Sequence, residues 1–187
     1  MSAAICAHTA RAWRWACAWD VAARKPGNVS HASAGHRMQA AQFLRSADAA
    51  ADAIAERGAS VGRRIEAAVA ATQAAVGCNT NLGIVLLAAP LAVAAERRAA
   101  TGSALAWPSL LEDVLAALDR SDSAACFRAI RLAQPAGLGQ AASEDVSGEP
   151  SLGLRGVMAL AAERDRDRKS TRLNSSHSQQ SRMPSSA

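Results

Sequence analysis

The chain has 187 residues, half of them apolar, with no tyrosine, two phenylalanines and a formal net charge of +5. That length supports one domain with a sizeable core, and the abundance of alanine implies helices packed closely through small side chains. Without residues 168–187 there remain 17 basic against 16 acidic side chains, and so neutral a body carries no nucleic-acid footprint.

In chain order, the pattern predicts a first helix over about 7–23, with Trp13, Cys17 and Val21 recurring every four residues and Trp15 and Trp19 beside them. These tryptophans read as core. Lys25-Pro26-Gly27-Asn28-Val29-Ser30 then interrupts the helical text. Proline fixes φ and removes a donor, and the glycine lets other groups approach the backbone. With Lys25, Asn28, Ser30, His31 and His36 around it, the turn has the groups that grip a polyanion. The alternative is a plain helix-to-helix turn with solvated side chains.

A second helix is expected from about Met38 to Arg57, ended by Gly58, with Ser60 capping a third that runs to Val76. Gly77-Cys78-Asn79-Thr80-Asn81-Leu82-Gly83 is a second polar break. Asn79 or Thr80 can cap the next helix, or these amides and the hydroxyl can face a ligand where backbone N–H groups favour anions. The fourth helix, about Leu82 to Arg98, reads as buried and kinked at Pro90. Thr101 to Pro108 reads as a loop, and Ser109 with Glu112 as a capping box for a fifth helix ending near Asp119. A sixth starts at Ser121 or Asp122 and ends near Ala133. A third glycine loop, Gln134 to Gly139, is followed by Glu144 and Asp145, which can act as a base, hold a divalent cation, or be solvated surface charge. A last helix begins near Ser151. No stretch alternates as a strand does, so the expected fold is all-α, a single helical domain.

The four cysteines, Cys6, Cys17, Cys78 and Cys126, show no zinc spacing and read as buried thiols in a reducing cytoplasm. There is no secretory pattern, and the longest apolar run, Leu82 to Ala95, is too short to span a bilayer. From Asp167 the text turns to Ser, Arg, Gln and His without an apolar period. Residues 167–177 and 181–187 resemble one reading frame of a common short-read sequencing adapter. The expected division is a partial domain over 1–166, truncated at its C-terminus, and a non-native disordered tail over 167–187.

The three breaks, taken with Ala129 to Gly139 and Glu144-Asp145-Val146, resemble in order and spacing the triphosphoribosyl-dephospho-CoA synthase family. Ala16-Cys17, Phe43, Ser46 and Ala161 to Asp165 fit as well, so the resemblance covers roughly residues 12–166. The first motif is similar to the divergent K-P-G-N-V branch, and Ala136 stands where glycine is expected. The resemblance implies an all-α enzyme that moves the triphosphoribosyl group of ATP to the 2′-hydroxyl of 3′-dephospho-CoA and releases adenine. Relatives of this branch also occur with tetrahydromethanopterin-linked C1 metabolism. A related transferase there, or a helical binding protein without chemistry, is the alternative.

For such a ribosyl transfer, Lys25 would hold a phosphate, with Gly27 permitting close approach. Asn28, Ser30, Asn79, Thr80 and Asn81 would bind substrate. Asp145 would be the base or magnesium ligand, with Glu144 second, and His36 a proton donor. The expected partners are ATP and 3′-dephospho-CoA with Mg2+, with no nucleic acid and no membrane. A homo-oligomer is compatible, and the expected location is the cytoplasm.

Overall fold

In the computed structural model, residues 2–24, 28–34, 38–102, 106–135 and 138–163 are described. Among them the chain forms helices alone: α1 (Ser2–Ala22), α2 (Ala40–Ile54), α3 (Val61–Val76), α4 (Leu82–Thr101), α5 (Trp107–Ala116), α6 (Arg120–Ala133) and α7 (154–163). No strand forms among these residues, and Ser30 and Ser33 make an isolated bridge. The protein is an all-α single domain. The expected boundary at residue 166 lies outside the described residues.

Local chemistry explains most helix limits. Ser60 Oγ accepts from Arg63 N at 3.3 Å and opens α3, and Gly77 closes it at φ 67°. Three elements depart from the pattern. α1 starts at Ser2 because its alanine-rich opening contains no glycine or proline to stop it. α5 starts at Trp107, ahead of the expected Ser109 cap, because Pro108 sits in the first turn, where a missing N–H costs nothing. α6 is capped by Asp119, whose carboxylate accepts from Ser121 N and Asp122 N at 2.8 and 3.1 Å. α4 runs on through Pro90 without a break.

Pairwise contacts fix the helix directions. Trp13 Nε1 donates to Ala47 O at 2.7 Å, and Ile54 at the end of α2 lines a groove with Ile5 and Thr9 at the start of α1, so α1 and α2 are antiparallel. Arg45 at the start of α2 reaches Ala75 O at the end of α3, at 3.4 Å. Arg64 near the start of α3 pairs with Glu96 near the end of α4. α6 instead runs alongside α3 in the same direction: Gly62 N donates to Asp122 Oδ1 at 2.7 Å, and Glu66 pairs with Arg128 at 2.6 and 2.8 Å. One end of the bundle therefore collects the end of α1, the start of α2, the end of α3, the start of α4 and the end of α6.

The core is small-sided, as the composition implied, with Ala50, Ala51, Ala68, Ala89, Ala94 and Ala129 fully or nearly fully buried around Ile54, Ile65, Val85 and Phe127. Trp13 belongs to it. Trp15 and Trp19 do not: they are 68% and 61% exposed, on the side of α1 away from α2. Leu87 and Leu91 of α4 are exposed too, so that helix is buried on one face only. Cys17 and Cys126 are buried, and Cys6 and Cys78 are half-buried.

The approach of α3 to α6 is close enough to require glycine at position 62. A Cβ there would lie 2.6 Å from Asp122 Cα and 2.8 Å from its carbonyl oxygen, both backbone atoms that cannot swing away. Overpacking of this kind costs about 1–3 kcal/mol, more than the roughly 0.5–1 kcal/mol a helical Gly→Ala change gains. Gly62→Ala is therefore expected to lower stability in urea unfolding, and equal or higher stability would show that α3 and α6 do not meet there.

Candidate functional site

The helix directions bring the described parts of the first two polar breaks, and the opening of the third, to one end of the bundle. Residues 23–39 join α1 to α2 there, 77–81 join α3 to α4, and 134–153 leave α6 there and return along it. The return is pinned: Arg131 donates to Val146 O, Arg120 Nε to Pro150 O at 2.6 Å, and Ser123 Oγ to Leu152 O at 2.7 Å. Both long connections exceed the about 12–15 residues beyond which loops are usually functional or disordered.

The second break is built most firmly. Asn81 is buried and its amide pairs reciprocally with the buried Thr72 hydroxyl, at 3.0 and 3.2 Å. A buried amide left unpaired would be costly, so this pair fixes the backbone that opens α4. Asn79 Oδ1 accepts from Leu82 N at 3.2 Å, which caps α4 and leaves its amide N–H groups for other partners. Thr80 Oγ1 meets Ser46 Oγ at 2.5 Å, and Gln42 Nε2 approaches Cys78 Sγ at 3.7 Å. The start of α2 thus locks onto the Asn79–Asn81 turn. Ser46 is fully buried, and its Oγ also bonds Gln42 O at 2.6 Å.

In the first break, Ser30 is buried, bonds Ser33 Oγ at 3.0 Å and accepts from Ala32 N at 3.3 Å, so it shapes the turn. Asn28 is exposed. Lys25 and Gly27, and also His36, lie outside the described residues.

In the third break, Asp145 holds its own loop. Its Oδ2 accepts from Ala141 N at 2.6 Å, and its Oδ1 from Ser147 N and Oγ at 2.9 and 2.6 Å. Glu144 accepts from Ser151 N at 3.1 Å and from its hydroxyl, just ahead of α7. The hydroxyl bond, reinforced by the backbone N–H, holds the Glu144 carboxyl below the usual carboxylate range. Glu144 has φ 50° and Gln134 φ 47°, and no other described non-glycine residue is left-handed. Such backbone persists where surroundings over-determine it, as functional loops do.

Magnesium is usually held by one or two carboxylates together with substrate phosphates. Asp145 and Glu144, the carboxylates of the third break, are both engaged in loop hydrogen bonds, and Glu144 reaches toward Ser151 and toward Arg120 at the start of α6. Among the described residues no cluster of three or more His, Cys, Asp or Glu could hold a metal ion unaided. The thiols offer no nucleophile in the core: burial, with Asp20 near one and Asp122 near the other, pushes Cys17 and Cys126 up to about 12.

A cavity of about 880 Å³ lies elsewhere, at the opposite end between α1, α4 and α5, lined mainly by apolar side chains. It contains none of the polar breaks.

The sequence model of the CitG family, ATP:dephospho-CoA triphosphoribosyl transferase, matches residues 6–174. The chain belongs to this transferase family. The match runs past the boundary expected at residue 166. No curated protein matches the chain, and no solved structure does either. Among the described residues no helix is long and apolar enough to cross a membrane.

Ser46, Gln42 and Thr72 support this end without forming part of any polar break. Ser46 and Thr72 had a sequence signal, a hydroxyl at a core-facing position, beside Ala47 and Ala50 in one case and in register with Ile65, Ala68 and Val69 in the other.

Because the folded-state pKa of Glu144 is depressed, its contacts with Ser151 stabilise the fold fully above about 4.5 and are lost as pH falls through the lowered value. Glu144→Gln is expected to flatten that part of the acid limb of a pH–stability curve. An unchanged limb would mean the carboxylate does not hold α7 in solution.

Proposed function

We propose that the protein transfers the triphosphoribosyl group of ATP to the 2′-hydroxyl of 3′-dephospho-CoA, with release of adenine, at the polar end of the bundle. The observation that supports this reading is that the helix directions carry the described parts of the first two polar breaks, and the opening of the third, to one end of one helical scaffold. Membership of the family supports the reaction class.

The chemistry sets three requirements. The triphosphate must be held without being attacked, the departing adenine needs a proton or hydrogen bond, and the acceptor hydroxyl must be placed and deprotonated. C1′ of ATP develops oxocarbenium character, so carboxylates near it and cations on the phosphates stabilise the transition state. Lys25 holds a phosphate, and Gly27 lets the backbone approach it. Asn28, Asn79 and Thr80 carry the exposed or half-buried polar groups that meet ribose and base. Ser30 and Asn81 are buried, and they act by fixing the turns that present their neighbours.

Asp145 takes the acceptor proton, and Glu144 holds the adjoining turn against α7. In that role the Asp145 loop bonds must loosen when substrate enters, consistent with a site assembled on binding. His36 supplies the proton to adenine. Magnesium, if the triphosphate brings it, adds charge neutralisation at the phosphates.

The reading is tested by incubating the protein with ATP and 3′-dephospho-CoA and quantifying free adenine. Adenine release that depends on the acceptor is expected. Its absence, with ATP still bound, would point to a different acceptor such as a pterin or another C1-carrier precursor. Loss of a desolvated charged contact costs about 2–5 kcal/mol, so Lys25→Ala is expected to cut release by tens-fold or more at an unchanged melting temperature. Near-normal turnover would remove Lys25 from the phosphate site, and retained release in Asp145→Asn would remove Asp145 as the base.

A further inference from the structure

Two hydroxyls and one amide at the polar end have hydrogen-bond roles that the geometry fixes. Ser46 Oγ lies 2.6 Å from Gln42 O and 2.5 Å from Thr80 Oγ1. A serine has one hydroxyl proton, and a carbonyl oxygen only accepts. Ser46 is fully buried, so no water relieves an unbridged pair of oxygens, and its proton goes to Gln42 O. The proton between Ser46 and Thr80 then comes from Thr80. Half-buried, Thr80 is left with lone pairs to offer and no proton to give. Asn79 is its opposite. Its Oδ1 accepts from Leu82 N at 3.2 Å, which settles the orientation of the amide and leaves Nδ2 as a donor with no partner among the described residues.

A donor and an acceptor thus sit on consecutive residues of one turn, with Cα atoms about 3.8 Å apart across a trans peptide. Adenine offers the complementary pair on the edge that carries N7: an acceptor at N7 beside a donor at the 6-amino group. Guanine offers two acceptors there, N7 and O6, and hypoxanthine does the same. Against Thr80 such a 6-oxo group would set two lone pairs face to face, because the Thr80 proton is committed to Ser46. The same edge suits the chemistry. When the C1′–N9 bond breaks, its electron pair passes into the purine ring, and a hydrogen bond from Asn79 to N7 draws on that charge as it develops. N3 stays open to the proton from His36.

We infer, on the reading that ATP occupies the polar end, that the second break selects its base as a 6-aminopurine: Thr80 Oγ1 accepts from the 6-amino group, Asn79 Nδ2 donates to N7, and Ser46 is the positioning residue that fixes the polarity of Thr80. Ser46 does not touch the nucleotide. It acts by holding the Thr80 proton, and it belongs to α2. The helix that follows the first break therefore sets the base preference of the second.

Calorimetric titration of the full chain with ATP, ITP and 7-deaza-ATP tests the inference without requiring turnover. ATP is expected to bind about fivefold or more tightly than either analogue. Thr80→Val is expected to bring ATP and ITP to near-equal affinity, while Thr80→Ser keeps the preference. Ser46→Ala frees the Thr80 proton to meet a 6-oxo group, so the preference is expected to fall chiefly through tighter ITP binding, with unchanged far-UV circular dichroism. A serine with a merely structural role would weaken both nucleotides alike, and that result would remove Ser46 from the assignment. Asn79→Asp keeps the α4 cap and removes the donor, so it is expected to erase the advantage of ATP over 7-deaza-ATP. Should Ser46→Ala fail to fold, the Thr80 and Asn79 variants still decide. Equal affinity of the unaltered chain for ATP and ITP, or a preference that Thr80→Val leaves intact, would overturn the inference while the nucleotide site stands. No binding of ATP at all would overturn both.

Discussion

Arg64 sits where the architecture is decided. Its guanidinium is 1% exposed and donates to Ile54 O at 2.7 Å, to Ala59 O at 3.1 Å and to the Glu96 carboxylate. Glu96 in turn accepts from Gly58 N at 2.9 Å. One buried cation therefore joins the end of α2, the turn over residues 55–60, the start of α3 and the end of α4. A buried ion pair adds little net stability against an apolar alternative, but removing one partner costs about 3–5 kcal/mol. Its work here is directional. With that end tied together, the opposite ends of α2, α3 and α4 have one place to go, and that place holds the polar breaks.

The two ends of the bundle consequently differ in kind. The polar end is held by neutral hydrogen bonds between short side chains, Thr72 with Asn81 and Ser46 with Thr80, on loops that carry left-handed residues. The other end is held by the Arg64 network and by aromatic and aliphatic side chains around an open groove. Rigid support beneath a looser rim is the arrangement that positions a ligand while allowing the rim to adjust.

Much of the fold was legible because alanine-rich helices announce themselves by period, and because Ser60 and Gly77 act as local signals that tertiary packing did not override. Trp15 and Trp19 misled for a related reason. Period identifies an apolar stripe but not its partner, and α1 has two such stripes. The start of α5 misled because Ser109 with Glu112 fits a capping box equally well, and only Pro108 within the first turn separates the two. Arg64 was invisible, since an arginine in a helix normally points to water. The convergence of the breaks was legible only as an ordered family pattern, because helix direction depends on contacts such as Gly62 with Asp122 that no spacing reveals. The engagement of Asp145 and Glu144 within their own loop was likewise hidden.

The central claim is that the three breaks form one nucleotide site. Amide hydrogen exchange with and without saturating ATP addresses it directly. The account predicts slowed exchange together in residues 28–34, 77–82 and 138–146, with the α1/α4/α5 groove unchanged. Protection confined to the groove, or to a single break, would contradict it.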